Sequence, residues 1–336
     1  MKTCIVYGTR PEMIKLSVLS KDYKIDGIYT GQQPDLSSFY MDLMQEPVHR
    51  LDLKPGDLNS RYSSVLEKIA DKIKNYDIVL VQGDTMTAAA AAQAAFHLSK
   101  KIGHIEAGLR THDIESPFPE EFYRTLISRI ATWNFCPTSL SRDNLLREHV
   151  PGECFITGNT VIDAISRMFK DKAITKNDEV IITLHRRENI KHLDRILSEI
   201  KEIINKNQKY RWILPVHPNP EIRSKIDSHL SDTHVDIVNP FEYPDFLNKL
   251  ANCKLIITDS GGIQEEAGFF KKRVVICRES TERPEGIVAG FAHLGFENIQ
   301  NVVQNALEMP DWNGINPYGD GHASQKIAKI LGIKGR

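Results

Sequence analysis

Residues 78–111 read IVLVQGDTMTAAAAAQAAFHLSKKIGHIEAGLRT. The stretch opens on an apolar, β-branched run, Ile78–Gln82, and turns at Gly83-Asp84-Thr85. It continues through an alanine-rich helical segment, Thr85–Leu98, into a second strand-like run at Lys101–Glu106. Two strands joined by a helix of this length make a βαβ unit, which implies parallel strands and a right-handed crossover. The same alternation extends in both directions. Thr3–Tyr7, Ile25–Tyr29, Trp133–Cys136 and the shorter Phe155–Thr157 are strand-like in the first half, with helical periodicity at Met13–Lys21, Ser60–Lys74, Pro119–Ala131 and Leu140–Glu148. The second half repeats the scheme with strands at Glu179–Thr183, Arg211–Pro215, Val235–Val238, Leu255–Thr258 and Arg273–Cys277. Helical segments there are His192–Asn205, Pro220–Asp227, Tyr243–Asn252 and Ile263–Phe270. The predicted fold is α/β: two Rossmann-like domains facing a central cleft, with ligand-binding residues just past the strand ends.

The polar, lysine-containing stretch Asp171–Asp178 marks the boundary. Residues 1–170 form an N-terminal domain and 171–336 a C-terminal one, whose last helix can pack back on the first. The 336 residues carry 43 basic and 44 acidic side chains, a formal charge of −1, so bulk charge does not make the chain a nucleic-acid binder. A hydrophobic fraction of 41% excludes a disordered chain. Cys4, Cys136, Cys154, Cys253 and Cys277 form no C-x-x-C pair, which points away from zinc and toward a reducing compartment. Residues Met1–Arg10 lack a signal pattern, and the apolar stretch Ala88–Phe96 is far shorter than the ~20 residues of a membrane span. The expected setting is cytoplasmic, with no membrane or nucleic-acid partner.

Chemistry concentrates after the strands. Thr3–Tyr7 runs into Gly8-Thr9-Arg10-Pro11-Glu12 and a helix bearing Lys15. This is not a G-x-G-x-x-G dinucleotide fingerprint. Arg10 and Lys15 suit a diphosphate at a helix N-terminus, or the segment is a plain βα turn with Glu12 serving the helix dipole. Asp84 follows one strand and Glu106 ends the next. Glu120 and Glu121 open the helix carrying Arg124. Charged groups at such positions have no packing reason to be there, and converging carboxylates would raise one another's pKa and supply acid and base. The structural alternatives are an N-cap for Asp84 and dipole compensation for Glu120 and Glu121.

In the second half, His185 and His217 follow strands and join the catalytic candidates; neither has metal-binding spacing. Thr258-Asp259-Ser260-Gly261-Gly262-Ile263-Gln264-Glu265-Glu266 carries the strongest local signal. Its glycines permit close backbone approach, the helix N-terminus offers N–H groups to phosphate, and Ser260 adds a hydroxyl. Glu266 is placed to accept from ribose hydroxyls, the logic of a nucleotide-sugar site; an N-capped helix with a tight turn is the alternative. Arg278 and Arg283 follow the next strand as a second anion-binding element.

With these pieces in order along nearly the whole chain, the sequence resembles the non-hydrolysing UDP-N-acetylglucosamine 2-epimerases. The resemblance is carried by Gly8–Glu12, Gly83-Asp84-Thr85, His104–Thr111, Pro117–Glu121, Gly158–Asp163, His185–Asn189, Ser260–Glu266 and Thr281–Gly286. It implies the two-domain fold of B-type glycosyltransferases and interconversion of UDP-GlcNAc and UDP-ManNAc through a 2-acetamidoglucal, with no redox cofactor; no residue spacing calls for a divalent metal. It further implies a homodimer and a role in polysaccharide or glycan synthesis. Asp84, Glu106 and Glu120 match the family's essential acids. Arg10 and Ser260–Gly262 match diphosphate contacts, Glu266 the ribose contact, with Lys15 a supporting cation. Gln32, Arg186 and His217 match a second-substrate, allosteric site, although Asp35 stands where Gln is common. The sequence also departs from the family pattern at Gln82, Met86, Tyr123, Ser128 and Thr132. The Pro11-Glu12 form of the first motif favours epimerisation over hydrolysis. The alternatives are epimerisation or hydrolysis of a related UDP-acetamido sugar, a glycosyltransferase, and a nucleotide-sugar sensor.

Overall fold

The apolar runs become two parallel sheets. In the first, β1 (Thr3–Tyr7), β2 (Asp26–Tyr29), β3 (His49–Arg50), β4 (Ile78–Gln82), β5 (Lys101–Ile105), β6 (Trp133–Cys136) and β7 (Glu153–Ile156) lie in the order β3-β2-β1-β4-β5-β6-β7. In the second, β8 (Glu179–Thr183), β9 (Arg211–Pro215), β10 (Val235–Val238), β11 (Leu255–Thr258), β12 (Val274–Ile276) and β13 (Ala292–Leu294) lie in the order β10-β9-β8-β11-β12-β13. These are two Rossmann-like α/β arrangements. The computed structural model describes residues 1–33, 37–53, 55–216 and 220–336.

The described chain divides into two compact units: Met1–Arg167 with Tyr318–Arg336, and Met168–Pro317. The C-terminal segment is held to the first unit by hydrogen bonds. The buried Asp163 carboxylate accepts the N–H groups of Ala323 (3.1 Å) and Ser324 (2.7 Å), serving the start of helix Ala323–Leu331. Asn159 N donates to the Tyr318 carbonyl at 2.7 Å, and Lys24 N to that of Lys334 at 3.0 Å.

Side-chain size explains the packing. In the helix Met86–His97, Ala88–Ala92 are fully buried. Their short side chains let this helix pack between Leu58–Ile73 and Glu120–Ile130 while it covers β4 and β5. The second unit uses larger residues. Helix Leu193–Lys206 turns Leu193, Ile196, Leu197, Ile200, Ile203 and Ile204 inward onto Val180, Trp212 and Leu255. Truncating one of these, as in Ile200→Ala, would cost about 2–5 kcal/mol. Cys4, Cys136, Cys253 and Cys277 are buried, and Cys154 is partly so; all five thiols are free.

Strand order places the functional turns. In the first sheet the order reverses between β1 and β4, and in the second between β8 and β11. The register Thr3↔Ile78 and Thr183↔Thr258 carries these pairs side by side to their carboxyl ends. Turns leaving such neighbours meet at the switch point, where open α/β sheets bind ligands.

Candidate functional site

In the first unit, Glu106 lies one residue past β5, in the left-handed backbone region at φ 65°. A non-glycine residue held there stores on the order of 1–3 kcal/mol of strain, which surrounding contacts must offset. Those contacts converge on its carboxylate. Lys15 Nζ is 2.6 Å from Oε1 and 2.7 Å from Oε2, and both side chains are buried. Gln82 Nε2 donates to Oε2, and Asn159 Nδ2 to Oε1 at 3.2 Å. The turn at Gly83 presses against the same group: a Cβ on Gly83 would sit 3.6 Å from Oε2. A buried carboxylate gripped by an ammonium and two amides is fixed in orientation.

Asp84 follows that glycine and pairs with Arg124 from helix Glu120–Ile130. The expected repulsion among clustered acids is thus replaced, at Asp84 and Glu106, by a separate cation for each. The N-cap alternative for Asp84 is corrected: Thr85 caps the helix, its side chain accepting Ala88 N at 3.0 Å. Glu120 begins its helix and is half-buried, whereas Glu121 is buried. Glu121 accepts Thr111 N (3.1 Å) and His112 N (3.0 Å) and lies 3.4 Å from Arg124 Nη1. It secures the loop before the helix as well as facing the dipole.

Two buried titratable groups support these turns. Glu12, fully buried, accepts from Gly8 N (2.9 Å), Thr9 N (2.8 Å), Thr9 Oγ1 (2.8 Å) and Thr85 Oγ1 (2.7 Å). Burial pushes its carboxyl up to about 6, against the lowering effect of these bonds. His104 is fully buried with Nε2 2.8 Å from the Gly83 carbonyl. Desolvation lowers its pKa to about 4, so the ring is neutral at pH 7 and can donate to that carbonyl. Arg10 opens the first helix, exposed, with its guanidinium 5.4 Å over the Tyr40 ring and its N–H donating to Gln33.

The second unit builds a different surface. Ser260 precedes helix Gly261–Phe269, and its N–H donates to Thr258 Oγ1 at 2.9 Å. The two glycines are unlike each other. A Cβ on Gly261 would meet Arg283 Nη1 at 2.3 Å, whereas one on Gly262 would meet nothing within 4 Å. Gly261 is required by internal packing, and Gly262 leaves space beside the helix start. Arg283 donates to Glu265 Oε1 (2.6 Å) and to Glu282, and Arg278 to Glu282 Oε2 (2.8 Å). These four residues are all buried. Arg278 and Arg283, expected as an anion-binding element, are both engaged with carboxylates that offset part of their charge. Glu266 is buried and accepts the Tyr243 hydroxyl at 2.9 Å. His185 follows β8 with its side chain 40% exposed.

Of the allosteric candidates, Gln32 accepts Thr87 N at 3.0 Å through its side chain and Arg61 Nη2 at 2.5 Å through its carbonyl. Arg186 N donates to Asp259 at 2.9 Å. His217 and Asp35 lie outside the described residues. Among the described residues, no three His, Cys, Asp or Glu side chains gather to hold a metal ion, and no helix is long and apolar enough to cross a membrane.

Residue typing missed the partners: Gln82, Asn159 and Arg124 at the acids, His104 behind Gly83, and Tyr243 at Glu266. Gln82 stood out only as a departure from the family pattern. The other departures repack. Tyr123 stacks on Tyr62 at 5.9 Å, Ser128 accepts Arg110 Nη2 at 3.2 Å, Thr132 accepts Ile102 N at 3.2 Å, and Met86 is core.

A family model described as UDP-N-acetylglucosamine 2-epimerase matches residues 19–332. The chain is 37% identical to the UDP-N-acetylglucosamine 2-epimerase of Campylobacter jejuni, covering 100% of this chain and 98% of that one. It is 35% identical to the Bacillus subtilis enzyme of the same name, covering 98% and 95%. The crystal structure of UDP-GlcNAc 2-epimerase from Neisseria meningitidis bound to UDP-GlcNAc superposes with a TM-score of 0.89 at 34% identity, covering 98% of this chain and 99% of that one.

Proposed function

The chain belongs to the UDP-N-acetylglucosamine 2-epimerase family, and from that premise we propose that it interconverts UDP-GlcNAc and UDP-ManNAc by inversion at C2. The observation that carries the reading is Glu106, fixed by Lys15 beside the Gly83-Asp84 turn, so that two acids leave adjacent strands.

The C2 proton of the hexose is adjacent to no carbonyl carbon and is only weakly acidic. Its removal has to be coupled to loss of a stable anion. A carboxylate takes the proton as the C1–O bond breaks, and the electron pair of that bond leaves on the β-phosphate oxygen. The products are a 2-acetamidoglucal and UDP. In the return step a second acid delivers a proton to the opposite face of C2 as the phosphate oxygen bonds to C1. One proton leaves and one returns, so no oxidant or reductant is consumed. Asp84, Glu106 and Glu120 are the residues proposed for these transfers, and Lys15 is the group that pairs with Glu106 and orients it.

Ser260, Gly261 and Gly262 are the proposed diphosphate contacts, joined by Arg10 and His185. The opening beside Gly262 and the N–H groups of the helix start suit an anion. Glu266, oriented by Tyr243, is the proposed ribose acceptor. Stabilising UDP as it departs lowers the barrier as well as the dissociation constant. A cytoplasmic homodimer that supplies ManNAc to glycan synthesis belongs to the same proposal.

Incubation with UDP-GlcNAc alone in heavy water tests the reading. The expected product is UDP-ManNAc carrying deuterium at C2. Free sugar would make the chain a hydrolase, and no exchange would remove it from this chemistry.

A further inference from the structure

The turn after β8 is organised by a carboxylate that follows another strand. Asp259 comes directly after β11 and is fully buried. It accepts the backbone N–H groups of His185 (3.0 Å) and Arg186 (2.9 Å) and the Nδ2–H of Asn189 (3.1 Å). Asn189 also donates to the Cys277 carbonyl at 2.8 Å, so the turn is tied to the chain leaving β12 as well. The sheet register makes this reach possible, because Thr258 and Thr183 are paired at the ends of β11 and β8. A charge removed from water needs several donors, and three N–H groups supply them.

One further contact is not required for that purpose. His185 Nδ1 lies 3.4 Å from Asp259 Oδ1, while its side chain is 40% exposed. With Nδ1 facing the carboxylate, Nε2 lies on the far side of the ring, turned away from it. We infer that Asp259 is a positioning residue for His185: it keeps a proton on Nδ1 and presents Nε2 to the diphosphate of a bound nucleotide. This rests on the nucleotide-sugar reading above. A neutral ring offers Nε2 as an acceptor, and a protonated ring offers it as a charged donor to phosphate. A carboxylate that only shaped the turn would need its backbone bonds and would be indifferent to the ring's tautomer.

Nitrogen-15 histidine spectra of the full chain at pH 8.5 read that tautomer directly, with His185→Asn identifying the resonance. The wild-type ring is expected to carry its proton on Nδ1, and Asp259→Asn to shift it toward a mixture. UDP affinity, measured by calorimetry, is expected to fall about tenfold in either single variant and no further in the double. A wild-type ring protonated on Nε2, an unchanged tautomer in Asp259→Asn, or losses that multiply in the double variant would each overturn the inference. If Asp259→Asn does not fold, the wild-type tautomer and the affinity of His185→Asn decide it. A wild-type chain that does not bind UDP would instead refute the nucleotide reading, while the tautomer still judges the positioning.

Discussion

In each unit a fully buried carboxylate near the point where the strand order reverses ties two turns together, Glu12 in the first and Asp259 in the second, and the two reach in opposite directions along the chain. Glu12 sits in the helix after β1 and accepts from Thr85, past β4. Asp259 follows β11, the fourth strand of its own unit, and reaches back to the turn after β8, the first. What surrounds these anchors differs. The first unit gives Glu106 and Asp84 their own cations, Lys15 and Arg124. The second engages Arg278 and Arg283 with Glu282 and Glu265 and leaves space at Gly262. One arrangement fixes charged side chains, as proton transfer requires; the other leaves space beside a helix start, as an anion requires. If the proposed roles hold, mutation should separate chemistry from grip.

The largest separation is expected at Glu106→Gln. The substitution removes the charge that Lys15 opposes and the group proposed to handle the C2 proton. Turnover should fall by about 10²–10⁴-fold, the usual worth of a positioned acid or base. UDP affinity, which the proposal assigns to the second unit, should stay within about threefold. Steady-state kinetics and calorimetry on one preparation check both, and an equal fall in the two would erase the proposed division.

Acid titration sharpens the contrast within the first unit, where two buried groups act in opposite senses. His104 has a folded pKa of about 4, below its ordinary 6.5. The unfolded chain binds its proton first, so stability present above pH 6.5 is lost as pH falls toward 4, by roughly 3 kcal/mol. Glu12 has a folded pKa of about 6, above its ordinary 4.5. There the folded chain binds the proton first, so stability rises by roughly 2 kcal/mol as pH falls from 6 to 4.5. His104→Asn should flatten the acid-side loss measured by urea unfolding between pH 6.5 and 4.5, and Glu12→Gln should steepen it. The reverse pattern would mean that the two groups are not desolvated as their burial indicates.

These carboxylates also show what a sequence reveals and what it conceals. Strands buried on both faces are continuous apolar runs, and the predicted bounds of β1, β4, β6, β8, β9 and β11 coincide with the observed ones; those of the half-buried edge strand β10 do so too, through its β-branched residues. The edge strands β3 and β13 were invisible because His49–Arg50 and Ala292–Leu294 are short and only partly buried. Acidic residues at strand ends were legible because a charge past an apolar run stands out. Their partners were not: Lys15 lies 91 positions from Glu106, and Asn159 lies 53 positions from it. Residue type gives the charge, but only the folded chain gives the pairing. The same limit applies to Arg278 and Arg283, whose residue type suggests an anion site but does not reveal the carboxylates they pair with.

The paired glycines give a smaller, two-sided test of the second unit. Gly261→Ala drives a methyl group into Arg283, which Glu265 and Glu282 hold in place. The expected loss is about 1–3 kcal/mol of stability, seen in chemical denaturation. Gly262→Ala meets no neighbour, so its melting temperature should hold while UDP affinity drops. If Gly262→Ala binds UDP like the wild type, the space beside it is not where the diphosphate lies.

The smallest effect is expected at Thr85, where helix capping and carboxylate anchoring share one hydroxyl. Thr85 Oγ1 accepts Ala88 N and donates to Glu12 Oε1. Thr85→Ala removes both bonds and should cost about 1 kcal/mol, the common value for an N-cap. Thr85→Ser keeps the hydroxyl and should restore most of it. The two contributions can be told apart in the Glu12→Gln background. A loss due to capping alone would be unchanged there, whereas a loss shared with the anchor would shrink, because the hydroxyl would no longer serve a charged acceptor. Equal losses in the two backgrounds would reduce Thr85 to a helix cap and leave Glu12 tied only to its own turn.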